Sequence, residues 1–150
     1  ATQASQAPNA SYMDIAKSFL GKNENKDAMT LANFFKKSLG DDFDPQKTPW
    51  CAEFANSVLA SGGIKGSGSA AARSFLNVGS PIDKPTKGDI LVFSRANDPN
   101  KGHVGFYDHE DSKYYYVLGG NQGNSVSIAK KPKSSLLGAR RVTAEQLGGQ

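Results

Sequence analysis

Apolar residues recur at helical spacing through the first half of the chain. In SYMDIAKSFL (11–20), Tyr12, Ile15, Ala16 and Phe19 share a face, Ser11 can cap the start and Gly21 stops the run. Residues 28–39 place Leu31, Phe34, Phe35 and Leu39 on one side, with Gly40 beyond. After the loop DDFDPQK, a third helix is expected from Thr48 to about Ala60, ended by Gly62-Gly63. SAAARSFL (69–76) reads as a short helix capped by Ser69, after the glycine-rich IKGSG. No Gly-Lys-Ser/Thr follows those glycines, so they are not a phosphate-binding loop.

The period then changes. DILVFSR (89–95) is a continuous apolar run, as in a strand buried on both faces. GHVGFYDH (102–109), YYYVLGGNQ (114–122), SVSIA (125–129) and LLGARRV (136–142) follow, with HEDSK and QGN as turns. Helices first and an antiparallel sheet afterwards predict an α+β domain over 11–143, between a flexible tail at 1–10 and a short one at 144–150.

The 150 residues suit one domain, and 37% hydrophobic with 21% charged residues suits a globular one. No apolar stretch is long enough for a membrane span. The net charge of +4 favours anionic partners such as wall polymers, or is simply a solvated surface; no nucleic-acid motif accompanies it.

The single cysteine, Cys51, excludes an intramolecular disulfide and a cysteine zinc site. With Thr48 as N-cap and Pro49 at N1, Cys51 would be N3, where unpaired N–H groups and the helix dipole favour a thiolate. Its pKa is then expected below the free value. Of the two histidines, His109 sits in a charged hairpin tip, whereas His103 opens an apolar strand and is the better base. Pairing Asp108 with Tyr114 would set His103 opposite Gly119 and diagonal to Asn121, on one face. Asn121 Oδ1 would accept from His103 Nδ1–H and leave Nε2 toward the sulfur; a one-residue slip would separate them. Against this stand the plainer readings, a small buried cysteine and a turn-forming asparagine.

PWCAEFANSVL, GDILVF, GHVGFY and VLGGNQGNSVSI, in that order, resemble the papain-like bacterial cell-wall hydrolases, the NlpC-type peptidases and CHAP domains, closest to a small phage- and prophage-associated branch. The resemblance spans about residues 12–141. It implies a papain-like α+β fold with Cys51 as nucleophile, His103 as base and Asn121 as orienting residue. Many CHAP domains carry a Glu two residues before that Asn; here Gly119 stands there. The implied reaction is amide hydrolysis in peptidoglycan, outside the cytoplasm in periplasm or cell wall, by a monomeric peptidase or N-acetylmuramoyl-L-alanine amidase. A phage lysin, a secreted effector with an inhibitor or immunity partner, and a remodelling enzyme all fit.

The oxyanion would be held by the Cys51 N–H, with Gln46 and Gln122 as candidate second donors. Trp50, Tyr107 and Tyr114–Tyr116 would line a groove or pack in the core. Asp41, Asp42 and Asp44 could start a Ca²⁺ site, although their spacing suits a solvated acidic loop better and no cofactor is otherwise implied. Two other functions remain open on this fold: a non-catalytic wall-binding module, and a papain-like deamidase or acyltransferase acting on a protein.

Overall fold

The structure, a computed structural model, describes residues 12–142. The two tails and the Ser11 cap lie outside that range. Helix α1 covers 12–18, α2 Ala28–Leu39 and α3 Cys51–Ser61; a 3₁₀ helix follows at Ala72–Asn77. Six strands come next: β1 Ser80–Pro81, β2 Ile90–Ser94, β3 Gly102–Glu110, β4 Tyr114–Gln122, β5 Ser125–Pro132 and β6 Leu136–Arg141. They form one antiparallel sheet in the order β1-β6-β2-β3-β4-β5.

Strand alternation divides the apolar residues between two faces. Ile90, Val92, Val104, Phe106 and Leu118 face the helices and join the main core. Leu91, Phe93, Val117 and Ala139 form a smaller cluster on the other face, roofed by Tyr107, Tyr115 and Ile82. That is why β2 reads as an unbroken apolar run.

Helix α3 is the centre of the molecule. Every residue from Cys51 to Leu59 is buried, between α2 and strands β3 and β4. The ring of Phe54 packs near Trp50, Phe34 and Phe19, with centroids 6.3, 6.1 and 6.0 Å away. Burying a ring of this size contributes about 1.5–3 kcal/mol. A Cβ on Gly120 would lie 2.8 Å from both Phe54 Cβ and the Trp50 ring, so glycine there lets β4 close onto the head of α3.

The start of α3 differs from the sequence expectation. The carbonyl of Asp44 accepts from the Lys47 and Thr48 amides, and Asp44 Oδ1 accepts from Gln46 N, so 44–48 close as a turn. Thr48 is therefore not the cap. Trp50 is the N-cap, its carbonyl accepting from Phe54 N at 2.9 Å, and Cys51 is the first helical residue. Local turn chemistry at Asp44 and the burial of Trp50 together outweigh the Thr-Pro signal.

Candidate active site

At the first position of α3, the amide of Cys51 has no intrahelical acceptor. The backbone N–H groups of Cys51, Ala52 and Val104 point at its sulfur. Val104 follows His103 on β3, so the thiol lies against the peptide that joins them. Cys51 is 5% exposed and opens on a cleft of about 450 Å³ whose walls include Arg95, Lys101 and Ala70.

His103 is buried, and its Nε2 lies 2.7 Å from Gln122 Oε1. The Gln122 amide group is committed elsewhere: Nε2 donates to Val117 O at 3.1 Å and Ser127 O at 2.7 Å. Oε1 can thus only accept, which puts the imidazole proton on Nε2 and leaves Nδ1 with a lone pair. This reverses the expected assignment. The orienting bond runs from Nε2 to Gln122, not from Nδ1 to Asn121.

The exchange arises at the end of β4. A bulge in β3 at Tyr107–His109 leaves Phe106 paired with Leu118 and not with Tyr116 as the assumed register requires, a two-residue shift that keeps the parity of His103 and Asn121. The strands β4 and β5 then lose register between Gly119 and Gln122, and Asn121 takes φ 59°. Alternation stops there, and Gln122 folds back where Asn121 was expected. Gly119 gives it room: a Cβ would sit 3.0 Å from Gln122 Oε1. Turn-type residues at a strand end (Gly-Gly-Asn-Gln-Gly-Asn) were the available signal that parity would break.

Electrostatics correct a second expectation. Burial pushes the Cys51 thiol up, and this outweighs the three N–H groups and the charge of Arg95 that pull it down. His103 is lowered to about 4, first by burial and then by Lys131, with Arg95 adding and Gln122 opposing. Lys131 is itself lowered, chiefly by burial. At neutral pH the pair is thiol and neutral imidazole in cationic surroundings.

The other residues singled out in the sequence fall elsewhere. Gln46 is exposed and its side chain donates one N–H to Asn25 Oδ1 at 3.3 Å, whereas both Gln122 N–H groups are committed and leave it no free oxyanion donor. Trp50 is fully buried, its Nε1 donating to Glu24 Oε1 at 3.0 Å, so it anchors the core and lines no groove. Tyr107 belongs to the far-face cluster and donates to Glu110. Tyr114 lies under Lys130, Tyr115 near Phe93, and Tyr116 stacks on His109. His109 is exposed, as expected. Asp42 pairs with Lys36 at 3.2 Å and Asp44 is spent in its turn. Among the described residues, no three or more His, Cys, Asp or Glu side chains are grouped to hold a metal ion.

Cys51 heads the central helix and His103 stands on the neighbouring strand β3 with its Nε2 held by Gln122, in an α+β fold of the papain-like kind. The chain belongs to the CHAP domain family, whose model matches residues 43–121 and so includes Cys51 and His103. Among solved structures it is similar to an NlpC/P60 family protein from Bacillus cereus ATCC 10987, at 20% identity and a TM-score of 0.56. That match covers 89% of this chain and 39% of the other, so the chain spans well under half the length of its structural relative. No curated protein matches.

Proposed function

We propose that the protein hydrolyses an amide bond of peptidoglycan through Cys51, His103 and Gln122. One observation carries this reading: Gln122 fixes the His103 tautomer so that Nδ1 is a base beside the peptide whose N–H meets the Cys51 sulfur. CHAP membership supports hydrolase chemistry on cell wall.

In the reaction, the Cys51 S–H proton passes to His103 Nδ1 as the sulfur attacks the carbonyl carbon. The oxyanion accepts a hydrogen bond from the Cys51 N–H, and Arg95 and Lys131 favour the negative charge. His103 Nδ1–H then protonates the departing amine as the C–N bond breaks. A water, deprotonated by the same nitrogen, cleaves the thioester and releases the carboxylic acid and the thiol. His103 Nε2–H stays on Gln122 throughout, and the imidazolium formed in passing is stabilised by that acceptor.

Peptidoglycan as substrate places this activity outside the cytoplasm, in periplasm or wall, and leaves room for an inhibitor partner. No helix among the described residues is long and apolar enough to cross a membrane. The bland alternative, wall binding without turnover, is favoured by one observation, the raised thiol. Mass spectrometry of purified sacculi treated with wild type and Cys51→Ala separates the two. New stem-peptide amines released only by wild type support hydrolysis; identical spectra, with both proteins retained on the sacculi, contradict it.

A further inference from the structure

Helix α3 carries a second concave site on its other side. A cavity of about 520 Å³ lies between the C-terminal end of α2, α3 and the 64–70 loop, and its walls include Leu39, Phe43, Ile64, Asp41 and Glu53. Glu53 is 3% exposed and its Oε2 is buried without a hydrogen-bond partner. Asp41 hydrogen-bonds to the same carboxyl and adds its charge, so that after burial both raise the Glu53 pKa further, to about 8. Asp42 is paired with Lys36, and exposed Lys65 is the cation on the rim. Among the described residues Asp41 has no ion pair.

The wall is built in advance. Asn56, on α3, accepts from Ser67 N at 2.7 Å and donates to Ser69 O at 2.9 Å. A Cβ on Gly66 would lie 2.0 Å from Asn56 Oδ1, so glycine is needed for the loop to lie this close. Ala70, at the end of the same loop, lines both this cavity and the Cys51 cleft. The two sites adjoin.

We infer that this cavity binds an aliphatic ammonium group, its methylene stem against Leu39, Phe43 and Ile64 and its charge on Glu53 and Asp41. A hard metal ion needs six or more oxygen ligands, and this lining is largely apolar. An alkylammonium needs two or three acceptors and apolar walls, both of which are present. The inference does not rest on the hydrolase reading.

The test titrates full-length Cys51→Ala protein with 1,5-diaminopentane and, separately, with 1-pentanol and with Ca²⁺, following backbone amides by NMR. The diamine is expected to shift Glu53, Asn56 and Ile64. Glu53→Gln, isosteric with the neutral acid, and Asp41→Asn should each weaken it about tenfold, as for loss of one charge-assisted contact. Equal binding of pentanol, binding of Ca²⁺ at these residues in place of the amine, shifts elsewhere, or no shifts would each overturn the inference. Sacculus hydrolysis by the wild type, measured in parallel, reports on the hydrolase reading independently. If hydrolysis is intact and diamine binding absent, this inference alone fails.

Discussion

Cys51 and Glu53 are two residues apart on one buried helix, and they look into opposite electrostatic worlds. Cys51 and His103 are surrounded by Arg95 and Lys131; Glu53 faces Asp41. Yet the outcome at neutral pH is the same, because burial moves each group toward its neutral form. Thiol, imidazole and carboxylic acid all wait uncharged. The difference lies in what would charge them: an electrophilic carbonyl that draws the proton from sulfur to imidazole on one side, an ammonium that displaces a proton on the other. A helix terminus therefore does not by itself make a thiolate; here desolvation wins over three N–H groups and a nearby arginine.

Substitutions can break this contrast at graded cost. Cys51→Ala should remove sacculus hydrolysis by about 10⁴-fold or more while leaving the fold intact, read as released amine. Gln122→Ala removes one hydrogen bond to a charged intermediate, about 1.5–3 kcal/mol, so kcat should fall about 10- to 100-fold with KM little changed. Gln122→Glu would raise the His103 pKa and move the acid limb of the rate profile upward, which a merely structural glutamine would not do. Gly120→Ala forces a methyl against Trp50 and Phe54 and should cost about 1–3 kcal/mol in urea unfolding.

Acid sensitivity follows from the same burial. His103 is held near pKa 4 in the fold against 6.5 when unfolded. The unfolded chain therefore binds the extra proton first, and the His103 contribution to stability falls as pH drops from about 6.5 toward 4, by up to about 3 kcal/mol. Glu53, held protonated up to about 8, contributes with the opposite sign over the same window, so the His103 loss is read as the difference between wild type and His103→Gln in unfolding midpoints from pH 7 to 4. The smallest effect is expected at Asn121. Asn121→Gly relieves a positive φ and leaves the His103–Gln122 bond in place, so activity should stay within about twofold. A large loss there would restore Asn121 to the site.

The regular elements were legible in the sequence wherever one periodicity ran uninterrupted. Helix α2 over 28–39 and strand β4 over 114–122 have the expected bounds, because amphipathic spacing and terminal glycines suffice to define them. Cys51 at the head of a buried helix and His103 near the start of a buried strand were legible as positions. The strand pair at Ser80–Pro81 was not, since two residues carry no period. Gln122 was hidden by a register break at the end of β4 that depends on tertiary packing, and the direction of the Cys51 shift by burial, which only the assembled sheet reveals. Trp50 looked like a groove wall because an aromatic beside a nucleophile is ambiguous until its exposure is known.

The most direct test is the protonation of His103 itself. In ¹⁵N-labelled protein at pH 7, its imidazole should show a protonated, pyrrole-like Nε2 and an unprotonated, pyridine-like Nδ1, titrating near pH 4. A proton on Nδ1, or a midpoint at or above the ordinary imidazole value of 6.5, would contradict the account.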